Sequence, residues 1–190
     1  MLLGAIVGAD HEQDPKPTKK AEVRVPDGET LRRAQELSRT DVHHDRIAKL
    51  AGQWKVTVRT PMAGGKFRED KGTVIGAPVL GGRYVALNYK LRILGRDIEA
   101  LQMVGFDTLR SRYTSTWRDN QTTWSLECSG EPGKDADLLQ LSGRLHDAES
   151  PDGKPVRVTY DLRSKGRVKV QIHTGTGKDE VLMQEQVWSK

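Results

Sequence analysis

The chain has 190 residues, with 31 Lys and Arg against 26 Asp and Glu, and a net charge of +5 at pH 7. That length suits one domain with a modest extension, and the basic excess is spread through mixed-sign stretches. No Lys- and Arg-rich face interleaved with aromatics stands out, which argues against a nucleic-acid partner. The single cysteine, Cys128, excludes an internal disulfide and a thiol-rich metal site, and its place in the alternation described below reads as a small buried apolar side chain.

Met1 to Ala9, MLLGAIVGA, is an apolar run far too short to cross a bilayer, and it gives way abruptly to the charged DHEQDPKPTKK. Two readings fit. Residues 1–9 are the remnant of a secretory signal, with Val7-Gly8-Ala9 placing a small residue before the change in composition, or they are an ordinary chain end. The first implies a periplasmic or extracellular location and the second a cytoplasmic one. No transmembrane segment is expected. Residues 10–40 read as a flexible charged tether bearing Pro15, Pro17 and Pro26. Within it, Glu29 to Arg39 has room for one short helix with Leu31, Ala34 and Leu37 on one side, stable only if it docks.

The barrel domain is expected over residues 41–190. Ile47, Leu50 and Ala51 recur at helical spacing, and Gly52 sits where a helix would need a left-handed closing residue; Trp54, Val56 and Val58 then fall on one strand face. Hairpin loops follow at Pro61–Gly65, Gly81-Gly82 and Leu94-Gly95. Between and beyond them, apolar residues alternate with polar ones. Val85, Leu87, Tyr89 and Leu91 share a face, as do Tyr113, Ser115 and Trp117, then Trp124, Leu126 and Cys128, then Leu139, Leu141 and Leu145. Val156, Val158, Tyr160 and Leu162 continue the pattern, then Val168, Val170 and Ile172, and finally Val181, Met183, Glu185 and Val187. Connections this short exclude parallel crossovers. The expected fold is all-β, an antiparallel up-and-down barrel of nine or ten strands capped by a short N-terminal helix.

The order His44, Gly52-Gln53-Trp54, VLGGRY and GFDTLRSRYTSTWRDN resembles a bacterial family of proteins of unknown function, DUF1579, over roughly residues 41–190, with Gly105 to Asn120 the most specific stretch. The resemblance implies a calycin-like, lipocalin-style barrel and brings no established activity, substrate or catalytic residue. It also implies outer relatives that include small haem-binding barrels, which makes the placement of the histidines matter. Haem needs an inward imidazole, and the parity count puts both His146 and His173 outside. His43 and His44 are neighbours on a helix and point about 100° apart, so they cannot share a metal ion from one face. His44 is expected to pack or hydrogen-bond where the helix meets the barrel end. No cofactor and no metal site are therefore assigned.

Six residues are the candidate ligand contacts: Tyr89, Tyr113, Trp117, Trp124, Tyr160 and Glu185. The aromatic residues fill a narrow barrel or line a pocket in a wider one. Glu185 is the one charged residue that the count places inside, where a carboxylate must be paired or have a raised pKa. A structural alternative has it reaching an arginine or rim water. No nucleophile elbow, phosphate loop, dinucleotide fingerprint or zinc signature is present, so no catalytic residue is assigned, and an enzyme would have to rest on Glu185 with an interior tyrosine. The leading expectation is non-catalytic binding of a small hydrophobic or aromatic molecule. The alternative is a protein-interaction or envelope structural module whose barrel is filled by its own side chains.

Overall fold

A computed structural model describes residues 26–190; the expected signal remnant and most of the tether lie outside the described residues. Helix α1 (Gly28–Leu37) begins at Asp27, whose carboxylate accepts from the Thr30 N–H at 2.8 Å. It buries none of its side chains. Its C-terminal end is held against the barrel by the Arg83 guanidinium, which donates to the Ser38 carbonyl at 2.9 Å, and by the Thr108 hydroxyl, which donates to the Leu37 carbonyl. Helix α2 (Val42–Ala48) is only seven residues long, too short to persist alone, and two devices fix it. At its start the Asp41 side chain accepts from the His43 and His44 N–H groups at 2.9 and 3.4 Å, and His44 Nδ1 accepts from the Asp41 N–H at 3.0 Å, so Asp41 and His44 form a capping box. At its end Ile47 and Leu50 are fully enclosed by the barrel.

Gly52 does take a positive φ, +124°, but as the first residue of a strand. The helix itself ends four residues earlier, with Lys49 in the right-handed region. A second glycine matters more to the joint: a Cβ at residue 76 would lie 2.3 Å from the Leu50 carbonyl oxygen, so only glycine lets the chain leave α2 directly across the neighbouring strand.

Ten strands follow: β1 (Gly52–Pro61), β2 (Phe67–Val79), β3 (Tyr84–Ile93), β4 (Arg96–Asp107), β5 (Arg112–Asp119), β6 (Leu126–Gly130), β7 (Leu138–Leu145), β8 (Lys154–Asp161), β9 (Arg167–Thr174) and β10 (Val181–Ser189). Each pairs antiparallel with the next, and β10 pairs back onto β1, with Val56 opposite Trp188, so the sheet closes with no edge. The alternation expected from the sequence holds within β1, β3, β5 and β7 to β9: Trp54, Val56, Val58, Leu87, Tyr89, Leu139, Leu141, Tyr160 and Val170 are all buried.

It fails in β10. Leu182 is opposite His173 and Gln184 is opposite Ile172, so Met183 is an extra residue, a β-bulge. One inserted residue flips every side chain beyond it. Gln186 and Trp188 therefore point inward and are buried, while Glu185 and Val187 fall on the outer face with Arg59, Lys169 and Gln171.

The barrel is filled unequally. At the end under α2, the Trp54 indole donates to the Leu50 carbonyl at 2.9 Å, and a series of aromatic contacts rises from it: Trp54 to Trp188 at 6.2 Å between ring centroids, Trp188 to Tyr89 at 5.8 Å, and Tyr89 to Trp117 at 4.8 Å. Trp188 is fully enclosed at the middle of this column. Replacing it by alanine is expected to lower stability by about 3–5 kcal/mol, the usual cost of removing a buried aromatic. Urea unfolding of Trp188→Ala against the parent checks this; a loss under about 1 kcal/mol would mean the column does not support the closed end.

Candidate functional site

Beyond Trp117 the lumen is open. A cavity of about 670 Å³ occupies the half of the barrel away from α2 and reaches solvent between the β3–β4, β5–β6 and β7–β8 connections. Its walls are Ile98, Leu126, Val158, Val170 and Ile172 with the rings of Tyr89 and Trp117. These are inward positions of six strands, β3 to β6 with β8 and β9.

The floor is polar and closed upon itself. Gln102 is at the centre: its carbonyl accepts from the Tyr89 hydroxyl at 2.7 Å, and its amide donates to Ser115 Oγ and to the Tyr160 hydroxyl, each at 2.7 Å. All four residues are buried. Beside them the Trp188 indole donates to Gln186 Oε1 at 3.0 Å, and Gln186 donates to Gln184 Oε1 at 2.7 Å. Burial raises the pKa of both Tyr89 and Tyr160 well above the ordinary phenol value, so both stay protonated. The floor is thus a neutral lattice of amides and hydroxyls.

Charge is confined to the mouth. Among the described residues lining the cavity, Arg96 is the only lysine or arginine and Asp119 the only acid. Asp119 is already engaged, accepting from the Trp117 indole at 2.7 Å and from the N–H groups of Gln121 and Thr122 at 2.8 and 3.0 Å. The Trp124 indole donates to the His146 carbonyl at 3.0 Å and ties the β5–β6 connection to the β7–β8 connection across the rim.

Of the six residues singled out from the sequence, the structure brings Tyr89, Trp117, Trp124 and Tyr160 to this cavity. Trp124 does so from the rim, half-exposed and two residues before β6 begins, where a strand position was expected. Tyr113 faces inward but at the opposite end, where its hydroxyl meets His43 Nδ1 at 2.8 Å and its ring packs on Phe106. Glu185 is outside the wall, a correction to the expected inward position. Burial acts to raise its pKa, but Lys169 at 2.9 Å, Arg59 at 3.2 Å and the Gln171 amide at 3.1 Å outweigh it and hold the carboxyl below its ordinary value.

His146 is the other correction. It follows the last residue of β7, so the strand count does not govern it, and it lines the mouth. Its Nδ1 lies 2.8 Å from the Pro151 carbonyl, and a Cβ at residue 153 would sit 3.0 Å from its Nε2, so the imidazole is wedged into the rim between Pro151 and Gly153. His173 stays on the outer face, opposite Arg157. His44 is buried against the edge of Phe106 as part of the α2 cap. Burial pushes the Cys128 thiol up to about 11, leaving it an apolar core group.

Sequence reasoning missed Gln102, Gln184 and Gln186. For Gln102 the signal was present, since counting by twos from Ile98 and Ala100 lands on it. For the two glutamines of β10 it was masked by the bulge, although reading Trp188 as core would have recovered both.

The fold and site define a closed ten-stranded antiparallel barrel with a cavity open at one end. The family model "Protein of unknown function (DUF1579)" matches residues 39–188, and the chain belongs to that family. No curated protein matches. Among solved structures the chain is similar to Rv2717c from M. tuberculosis, at 11% identity and a TM-score of 0.56 over 80% of this chain and 99% of that one, a likeness of fold.

The outer-face pairing of Glu185 makes a pH prediction. Its folded-state pKa is depressed, so the pairing stabilises above the unfolded pKa and that stability is lost as pH falls through the folded pKa. Glu185→Gln is expected to lower stability at pH 7 by about 1 kcal/mol, with the difference from the parent shrinking as pH falls from the ordinary carboxylate range through the depressed folded pKa. Urea unfolding from pH 7 to 3.5 tests this; a difference that grows toward acid pH would contradict the assignment.

Proposed function

We propose that the protein binds a small hydrophobic or aromatic molecule in the barrel cavity and performs no chemistry on it, in the manner of lipocalin-like barrels. One observation carries the reading: an apolar-walled hollow of about 670 Å³, within the range of small-molecule sites and well above the few water-sized voids a packed interior contains. Tyr89, Trp117, Trp124 and Tyr160 are the contacts assigned to it, joined by Gln102 and Gln186. The hollow weighs against the alternative of an interaction module with a side-chain-filled barrel, since filling stops at Trp117. An enzyme built on Glu185 and an interior tyrosine lacks its geometry, because the carboxylate is on the other side of the wall.

An exported, periplasmic or extracellular carrier is the cellular form of this proposal, supported by the composition change after Ala9. Among the described residues no helix is long and apolar enough to cross a membrane.

The neutral fluorescent probe N-phenyl-1-naphthylamine is expected to bind saturably and one to one, with a dissociation constant of about 1–10 μM, or about −7 to −8 kcal/mol. Ile172→Trp, which puts an indole into the hollow, should weaken that binding at least about tenfold, near the worth of an aromatic side chain's lost contact area, while the thermal midpoint stays close to the parent's. Absence of saturable binding to the parent protein would overturn the carrier reading, as would undiminished binding to Ile172→Trp. Native mass spectrometry of protein purified from its own host should show a bound small molecule.

A further inference from the structure

The hydrogen bonds of the cavity floor can be followed proton by proton. Gln102 uses both amide hydrogens on Ser115 and Tyr160 and receives the Tyr89 hydroxyl on its carbonyl. Tyr160 therefore accepts from Gln102, and its own O–H can turn either to the Ser115 hydroxyl, which is within hydrogen-bond reach, or to an acceptor in the cavity. Gln186 receives the Trp188 indole on its carbonyl, gives one amide hydrogen to Gln184 and keeps the second. Tyr160 and Gln186 both line the cavity. They stand in one inward row across β10, β9 and β8, with only Val170 between them.

A ligand that displaces water from this floor must offer an acceptor there or leave the second Gln186 amide hydrogen unpaired, at a cost of about 1–3 kcal/mol, and leave Tyr160 with Ser115 as its partner. A pure hydrocarbon fails that requirement. An ionised carboxylate meets it but brings a charge into a floor without a cation, since the only lysine or arginine lining the cavity among the described residues is Arg96 at the mouth. Burying an uncompensated carboxylate costs far more than one hydrogen bond returns. Burial keeps both phenols protonated, so the floor remains a donor surface at any physiological pH. Above the floor, Tyr89 and Trp117 meet at a tilt of 59° with centroids 4.8 Å apart, and offer ring surface to a flat body.

Resting on the reading of the cavity as a ligand site, we propose that its ligand is an uncharged, flat or aromatic molecule carrying a carbonyl-type oxygen at its leading end. It enters floor-first, with that oxygen accepting from the Tyr160 hydroxyl and the Gln186 amide serving the same or a neighbouring acceptor. Any charged group of the ligand stays at the mouth, near Arg96.

Three probes of one shape test this on the full chain by calorimetric titration: 2-acetylnaphthalene, 2-isopropenylnaphthalene, in which a methylene replaces the carbonyl oxygen, and 2-naphthoate. The ketone-to-alkene affinity ratio is expected to fall about five- to tenfold in Tyr160→Phe, the worth of one ordinary hydrogen bond, and the naphthoate should bind the parent protein most weakly of the three. On the parent protein alone, the carbonyl stretch of the bound ketone should lie below its position in hexane, a readout that does not depend on the variant folding. An unmoved ratio, a hexane-like stretch or a preference for the naphthoate would overturn the proposed ligand class while leaving the cavity as a binding site. Failure of all three probes to bind would remove the ligand site itself.

Discussion

Closure of β10 onto β1 is the constraint from which the interior follows. Once the sheet has no edge, its circumference is fixed by strand number, and ten strands enclose more lumen than the side chains of an eight-stranded barrel can just fill. The chain meets this excess by concentrating bulk at one end. Trp54, Trp188, Tyr89 and Trp117 touch in succession from the α2 end upward, and the aliphatic residues beyond Trp117 line the cavity. The filled half gives the domain its core, and the hollow half is what remains when the aromatic column ends.

Polarity is sorted along the same axis, by height and by side of the wall. The outer face carries the ion pairs, including the Glu185 group with Arg59 and Lys169 and the paired Arg157 and Glu180. On the inner face one carboxylate, Asp70 opposite Val58, is held by the Leu94 N–H and by Arg68. The floor of the cavity carries neutral amides and hydroxyls that satisfy one another, a requirement in a region where an unpaired polar group costs more than it would in water. The Gln102 cluster therefore does two things at once. It ties β3, β4, β5 and β8 together across the lumen, and it gives the cavity a chemically defined base where the aromatic column leaves off.

Most of this architecture could be read from the sequence because a two-residue period survives closure. The inward faces of β1, β3, β5 and β7 to β9 were legible as runs of alternate apolar residues, and the hairpin glycines marked the corners. β2 and β4 were not assigned a face because Asp70, Gly72 and Gln102 interrupt their inward runs. Three things were not legible, each for a physical reason. A β-bulge leaves no mark in composition, so Met183 shifted the count unseen and exchanged Glu185 for Gln186 in the assignment. Height along the barrel axis is invisible to parity, which is why Tyr113 and Tyr160 looked equivalent although one packs under α2 and the other borders the cavity. Residues past a strand end escape the alternation altogether, as Trp124 and His146 do at the rim.

A hollow of this size needs an account of why the fold tolerates it. An enclosed empty cavity costs about 24 cal/mol per Å³, and at about 670 Å³ that would exceed the whole stability of an ordinary domain. The cavity here opens to solvent, so water enters and the vacuum cost does not arise. What remains is apolar wall held against water, at about 25 cal/mol for each Å² that a ligand could cover. The closed, aromatic half must hold the barrel shut without help from the wetted half, and the enclosed Trp188 at the middle of the column is placed to do that. The same arithmetic that makes the open half a poor contributor to folding makes it a good receiver of a flat apolar molecule.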